Sequence, residues 1–337
     1  MDSLTQLTLG AAVAVATLPQ GNSNKLKLAA TGAVLGTLPD LDVLLDYGDV
    51  VSNMVLHRAQ SHALFYQTLV APLLAYIAAA VCRQRQHYWR WLLATWLILV
   101  SHSAIDAMTV YGTQLALPFS SFPYAVGSIF IIDPLYTLPL LMGIGFYLRR
   151  QNYTAAYRAN LWGLGLSSVY MLWTVAAQWQ VSHIARQSLE AQQLSYQKML
   201  VTPTPLNTLL WRIVVLTDQG YAEGFYSLLD SETAIVLHHV AIDNAVPEHY
   251  QQLKAVQQLA AFSRGFYSLR QDNEALILTD LRMGQEGSYA FEFVIDSQSG
   301  LPLMQRPMRH NSAIALPWLW RRTLGQPLPS PYWLNDQ

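Results

Sequence analysis

The chain of 337 residues is 52% hydrophobic and only 12% charged, whereas soluble domains carry about 25% charged residues. Its formal net charge of −1 gives no electrostatic case for nucleic acid as a partner. The single cysteine, Cys82, excludes an intrachain disulfide framework and any metal site built from several cysteines.

Apolar segments that are candidates to span a bilayer fill the first half of the chain. They cover residues 3–19, 26–46, 62–82, 90–110, 129–148 and 158–180, and a span takes roughly 17–25 apolar residues. The first is short and the second contains Pro39, so both are also compatible with dipping into a helix bundle without crossing. Residues 1–180 therefore predict a polytopic α-helical membrane domain of about six spans.

The basic residues of this half predict its orientation. They concentrate in the loops after the first, third and fifth segments, at Lys25, Lys27, Arg83, Arg85, Arg90, Arg149, Arg150 and Arg158. Such loops are usually cytoplasmic, which predicts that loops 47–61 and 111–128 and all of residues 181–337 lie outside the cytoplasm. We expect a multi-pass protein of the inner (plasma) membrane.

Residues 181–337 predict a soluble α+β domain. Short β-branched and aromatic segments at 209–217, 223–229, 234–242, 275–283 and 289–296 are typical of strands. Residues 181–200 and 246–262 predict helices. Near the end, Trp318 and Trp320 lie beside Arg321 and Arg322, which suits either a membrane interface or a tail packed on the domain.

Polar residues within the apolar half fall at a similar predicted depth, near the outer membrane face. His102 and Asp106, at positions i and i+4, share one face of a helix. The others come from separate stretches of sequence and are Asp40, Asp42, His57, Arg58, His62 and Asp133. An ionised aspartate in a bilayer is costly unless it is paired or bound to a metal.

Imidazole and carboxylate groups together favour Zn²⁺ or Mn²⁺ over Mg²⁺, and this set is large enough for two or more ions. Taken singly, the residues have simpler interpretations. His102 and Asp106 alone would be a polar helix pair, Asp40 and Asp133 would be helix caps, and His57 would be a surface histidine. Their joint placement favours a metal site.

These residues lie in motifs that resemble the YdjM-like family of membrane-bound, metal-dependent hydrolases. The motifs are “MDSLTQLTLGAA”, “GTLPDLD”, “HRAQSHA”, “SHSAIDAMTVYGT” and “FIIDPLYTLPLL”, in order over residues 1–150. The family is similar to zinc-dependent phospholipases C and P1-type nucleases, which bind zinc through His and Asp. The resemblance implies as metal ligands His57, His62, His102 and Asp106, followed by Asp40, Asp42 and Asp133.

One position departs from the family pattern. Many members carry His where this chain has Gln6, and an amide is a poor ligand for a transition metal. Either this position borders the site without binding a metal, or one ion has been lost.

The favoured hypothesis is a metal-dependent hydrolase of a phosphoester in a membrane lipid or lipid-linked substrate, acting at the outer membrane face. Arg58 would bind the phosphate, and Asp133 or Asp40 would be the general base. The alternative is a non-enzymatic membrane scaffold, or an ion- or proton-translocating protein, with a structural metal site. Neither hypothesis fixes an oligomeric state.

Overall fold

The computed structural model describes residues 1–18, 24–242, 246–272, 275–308 and 311–333. The chain falls into two compact units. The first comprises Met1–Leu45 and His57–Thr174, and the second comprises Asp46–Leu56 and Val175–Gln337. The segment Asp46–Leu56 thus belongs with the C-terminal half, although the sequence predicts it to be part of an external loop of the membrane domain.

The first unit is mainly helical, and the strands named below all lie in the second, together with further helices. In chain order, the α-helices are α1 (Ser3–Thr17), α2 (Lys25–Thr37), α3 (Val50–Leu56), α4 (Leu64–Val81), α5 (Tyr88–Ala107), α6 (Pro134–Arg149), α7 (Tyr153–Ala191), α8 (Lys254–Phe262) and α9 (Ser312–Thr323). The strands are β1 (Lys198–Pro203), β2 (Leu210–Thr217), β3 (Gly220–Ser227), β4 (Leu237–Ala241), β5 (Tyr267–Asp272), β6 (Ala275–Asp280), β7 (Gly284–Gln285), β8 (Ser288–Tyr289), β9 (Glu292–Asp296) and β10 (Pro302–Gln305).

Small residues let α1 and α2 pack backbone against backbone. A Cβ atom added to Gly32 would lie 2.4 Å from the Ala14 Cβ and 2.6 Å from the Gly10 carbonyl oxygen. A Cβ atom on Gly36 would lie 2.6 Å from the Gln6 carbonyl oxygen. Since real Cβ atoms do not approach other atoms so closely, only glycine allows this helix pair to close.

The core of the first unit is built mainly from alanine and a few large side chains. Ala14, Ala75 and Ala94 are almost fully buried where α1, α4 and α5 meet. Trp91 fills the same cluster and is fully buried, and its indole Nε1 donates a hydrogen bond to Gln84 Oε1 at 3.0 Å. The small faces bring the helix axes close together, and the buried indole has its polar atom satisfied.

The second unit contains two antiparallel sheets, with strand orders β1-β2-β3-β4 and β10-β9-β6-β5, and β7 pairs with β8. Trp211, Ile213 and Val215 of β2 are fully buried and belong to one cluster with Val181 and Ala185 of α7. Alternate side chains of β2 thus form one face of the strand, and that face packs against a helix. The strands predicted at 209–217, 223–229, 234–242, 275–283 and 289–296 correspond in position to β2, β3, β4, β6 and the β8–β9 region.

The prediction of a polytopic domain with six spans is wrong. In the described part of the chain, one helix, α4, is long and apolar enough to cross a membrane, and α1 is apolar but shorter. Residue 19, the end of the first predicted span, lies outside the described residues. The predicted span 26–46 breaks at Pro39, and the predicted span 129–148 becomes helical only at Pro134. Composition identified apolar sequence but not the ends of the helices.

The contact between α1 and α2 can be tested by adding one methyl group. Gly32→Ala should lower the free energy of unfolding by roughly 1–3 kcal/mol, because the methyl group would overlap Ala14 and the Gly10 carbonyl. Gly145→Ala in α6 is the matched control, since its new Cβ would meet no atom within 4 Å. Better helix propensity should make this control more stable by about 0.5–1 kcal/mol. Denaturant unfolding in detergent measures both, and equal stability of the two variants would contradict the close contact.

Candidate metal centre

Three short stretches of the first unit carry the polar residues. A 3₁₀ turn, Pro39–Leu44, follows α2 and bears Asp40 and Asp42. Pro39 at the start of this turn ends α2, because proline cannot continue the helical hydrogen bonding. A second 3₁₀ turn, Gln60–His62, directly precedes α4. The last turns of α5 carry His102 and Asp106.

Asp40, His62, His102 and Asp106 form a group whose donor atoms all lie within 4.8 Å of one another. His62 Nε2 lies 3.0 Å from His102 Nε2 and 3.1 Å from Asp106 Oδ2. Asp40 Oδ1 lies 3.4 Å from each imidazole Nε2, and His102 Nε2 lies 3.5 Å from Asp106 Oδ2. Three of the side chains are buried, whereas that of Asp40 is 23% exposed.

The spacing of these atoms fits a single tetrahedral ion. Zinc bonds of about 2.0–2.1 Å place the ligand atoms of one ion about 3.3–3.4 Å apart. The five separations given above, from 3.0 to 3.5 Å, are close to that value. In addition, Asp40 Oδ1 is buried without a hydrogen-bond partner. The four side chains are therefore able to hold a divalent metal ion.

Hydrogen bonds on the far side of each imidazole orient both rings. His102 Nδ1 donates to the Gly36 carbonyl oxygen at 2.6 Å. His62 Nδ1 donates to Ser61 Oγ at 2.8 Å, and Ser61 Oγ donates to Asp42 Oδ2 at 2.5 Å. With the Nδ1 atoms donating outward, both Nε2 atoms are directed into the group, where loss of an Nε2 proton exposes the lone pair that a metal-binding histidine requires.

The charges within the group alter its proton affinities. Burial lowers the pKa of His62, but the neighbouring carboxylates of Asp106, Asp40 and Asp42 outweigh this effect and raise the pKa to about 9. Burial raises the pKa of Asp40, yet the neighbouring His102 and His62 rings hold it below its ordinary value. The free group thus combines ionised carboxylates with a readily protonated imidazole, so a proton and a metal cation would compete for it.

Three of the predicted ligands, His57, Asp42 and Asp133, are not members of the group of four, and the first two of them lie beside it. His57 Nδ1 lies 2.8 Å from Asp42 Oδ1, and the His57 ring centroid is 6.2 Å from that of His62. The two oxygens of Asp42 therefore face His57 on one side and Ser61 on the other. The structure places both residues around His62.

Arg58 lies against the group through Asp106. Its Nε atom is 3.4 Å from Asp106 Oδ2 and has no hydrogen-bond partner, and one terminal nitrogen donates to Thr109 Oγ1 at 3.3 Å. The guanidinium also lies 4.9 Å from the centre of the Tyr111 ring. Arg58 has φ +63°, a left-handed conformation that costs a non-glycine residue about 1–2 kcal/mol. Its backbone N–H donates to Asp42 Oδ2 at 2.9 Å, which holds this conformation.

Asp133, the predicted general base, is the N-cap of α6. Its carboxylate accepts hydrogen bonds from the backbone N–H groups of Leu135 and Tyr136 and from the Tyr170 hydroxyl. Burial raises the pKa of Asp133. Because both of its oxygens have partners at the start of α6, the structure gives Asp133 a capping role rather than a place in the group of four.

Gln6 borders the group. Its Nε2 donates to Asp106 Oδ1 at 3.1 Å, and its Oε1 is buried without a partner. The roles of Ser61 and of the Gly36 carbonyl were not predicted from the sequence. A serine within “HRAQSHA” is a weak signal on its own, and a backbone carbonyl leaves no signal in the residue type.

The group predicts the metal content of the purified protein. We expect about one equivalent of divalent metal per chain, lost in His102→Gln and in Asp106→Asn because each removes one of about four ligands. His87→Gln is the control, since His87 is exposed and lies outside the group. Elemental analysis of detergent-purified variants gives the answer. Full metal retention in a folded His102→Gln variant would contradict the assignment.

The raised pKa of His62 predicts a pH dependence of metal binding. Below about pH 9 the free His62 is protonated, so each ion that binds must displace a proton. Apparent affinity should therefore rise with pH, by about tenfold per unit for one displaced proton. Competition with a chelator of known affinity between pH 6 and pH 8.5 measures this slope. An affinity independent of pH would show that His62 does not bind the ion.

Comparisons with known proteins agree with a membrane location. The profile of the family described as YdjM inner membrane protein matches residues 1–181. An uncharacterized protein, YfhP of Bacillus subtilis strain 168, is 24% identical over 312 residues, which cover 88% of this chain and 90% of the relative. No solved structure matches the chain. The family match spans more than half of the chain and contains the whole group of four, and on this basis the chain belongs to the YdjM inner membrane protein family.

Proposed function

We propose that this protein is a membrane-bound, metal-dependent hydrolase of a phosphoester in a lipid or lipid-linked substrate. The ion would be Zn²⁺, with Mn²⁺ as the alternative, held by Asp40, His62, His102 and Asp106. One observation carries the proposal: the buried guanidinium of Arg58 lies 3.4 Å from Asp106, at the edge of this group, with an unused Nε–H. A guanidinium beside a metal site offers a phosphate group both a charge-assisted hydrogen bond and a neighbouring metal ion.

Arg58 would bind and orient the phosphate. Its Thr109 and Tyr111 contacts fix the plane of the guanidinium, so little side-chain entropy is left to lose on binding. A strained backbone persists where surrounding structure maintains it, often at functional sites. The left-handed φ of Arg58, held by Asp42, supports such a role.

His57 replaces Asp133 as the proposed proton acceptor. Asp42 accepts the hydrogen bond of His57 Nδ1, which leaves the His57 Nε2 lone pair available to take a proton from water. The side chain of His57 is 21% exposed, so water reaches it, whereas those of His62 and His102 are buried. When bound, a divalent ion would supply the positive charge that stabilises the developing charge on the phosphoryl oxygens.

A substrate within the membrane suits the surface of α4. Leu69, Leu73 and Ile77 lie four residues apart on one face of this helix and are 63%, 60% and 49% exposed. Apolar side chains of this size exposed in a row are typical of contact with lipid or another apolar partner. The membrane location of the family favours lipid.

The number of protein ligands supports a second candidate, a non-enzymatic membrane protein with a structural metal site. Structural zinc sites have four protein ligands, whereas catalytic sites usually have three and keep one position open. The group of four has the number of protein ligands that is typical of a structural zinc site. The partly exposed Asp40 separates the two candidates, since a hydrolase needs it to give way to substrate or water.

Turnover of chromogenic substrates by detergent-purified protein tests the proposal. We expect metal-dependent hydrolysis of bis-p-nitrophenyl phosphate or p-nitrophenylphosphocholine in preference to p-nitrophenyl acetate. Arg58→Lys should reduce kcat roughly 100-fold while metal content is unchanged, because a fork of donors is lost from the transition state. Arg90→Lys, at an exposed position, is the control and should leave kcat unchanged.

Two results would reject the hydrolase. One is the absence of turnover of all three substrates by protein that carries a full complement of metal. The other is loss of folding on metal removal combined with equal behaviour of Arg58→Lys and Arg90→Lys, which is the outcome for a structural site.

A further inference from the structure

A cavity of about 480 Å³ lies within the second unit. Its lining comes from β5, β6, the β7–β8 hairpin and β3, and it includes Ser268, Thr279, Tyr221, Tyr289 and Glu286. This volume lies within the range of small-molecule sites. Nothing in the proposed hydrolysis uses it.

The arginines that line the cavity are neutralised by carboxylates of the same lining. Arg306 contacts Asp272 at 3.1 Å and Glu292 at 3.2 Å, and Arg270 contacts the other Glu292 oxygen at 3.4 Å. Asp272, Glu286 and Glu292 thus oppose two guanidiniums, so the lining carries excess negative charge. An anionic ligand would have to break these pairs.

Glu286 carries the excess charge. It makes no ion pair with any residue in the described ranges. The nearby guanidinium of Arg212 is paired with Glu223 instead, at 2.5 Å. The Glu286 backbone N–H donates to Glu223 Oε1 at 3.0 Å, which fixes the hairpin over this buried pair. A carboxylate is thereby held at the cavity without a counter-ion.

The hydrogen-bond donors beside Glu286 are already used. The Tyr289 hydroxyl donates to the Tyr221 hydroxyl at 3.0 Å, and the Tyr221 hydroxyl donates to Glu286 Oε2. The Tyr289 oxygen also accepts from an Arg212 terminal nitrogen at 3.4 Å. The acceptor capacity that remains on this wall is therefore mainly that of the Glu286 carboxylate. A ligand that complements it must donate hydrogen bonds and carry positive charge.

We propose that this cavity binds a small organic cation with a primary ammonium group, and that Glu286 is its counter-ion. An ammonium group supplies hydrogen-bond donors and one positive charge, which match the two oxygens and the charge of the Glu286 carboxylate. The alkyl part of the cation would lie along the rings of Tyr221 and Tyr289.

Calorimetric titration of the whole chain with 1-butylamine tests this site. We expect saturable binding that weakens at least about tenfold in Glu286→Gln, since a charge-assisted hydrogen bond contributes enough for that factor. Glu190→Gln, at an exposed position in α7, is the matched control and should bind like the parent. Butyrate and 1-butanol, which have similar chains without the ammonium group, should not bind.

A second variant keeps the test decisive if Glu286→Gln does not fold. Ser268→Lys places an ammonium group at the cavity lining and should block 1-butylamine. Three outcomes would overturn the proposal: no amine binding by the parent, undiminished binding by a folded Glu286→Gln or Ser268→Lys variant, or binding of butyrate, which would assign the site to the arginines.

Discussion

The close contact between α1 and α2 is the constraint on which the candidate metal centre depends. Because glycine lets the two backbones touch, the end of α2 is fixed against α1, and the Gly36 carbonyl lies where His102 Nδ1 can donate to it. The same contact fixes the position of the end of α2 at Pro39. It therefore also positions the turn that bears Asp40 and Asp42. A larger residue at this crossing would displace a ligand, a ring partner and the turn together.

Burial and charge then act in opposite directions at the centre. Withdrawing Asp106 and the two imidazoles from water is costly, and the cost is offset only if each polar atom finds a partner. The Nδ1 atoms of the two rings find partners in the Gly36 carbonyl and Ser61. The Nε2 atoms and the carboxylate oxygens face one another, at separations that suit a single bound cation. A polar group of this kind, placed among alanine-rich helices, is more readily explained by ligand binding than by stability.

Local sequence spacing predicted part of this arrangement, and long-range packing decided the rest. The spacing of His102 and Asp106 implies a shared helix face and needed no tertiary information. Whether His57 or Asp40 would join them depended on how the residue after α3 and a 3₁₀ turn are placed, and no periodicity encodes that. Apolar content likewise overestimated the membrane spans, because proline at positions 39 and 134 sets helix ends that composition does not register. Edge strands such as β5 and β10 escaped prediction since their exposed residues lack the alternation of buried strands.

The central claim is that Asp40, His62, His102 and Asp106 bind one ion together. X-ray absorption at the zinc edge of the zinc-loaded, detergent-purified protein tests it most directly, because it reports the number, type and distance of the ligand atoms. The account predicts about four nitrogen or oxygen neighbours at about 2.0–2.1 Å, with outer-shell scattering from two imidazole rings and no sulfur. A shell of six oxygens without imidazole scattering, or one containing sulfur, would contradict it.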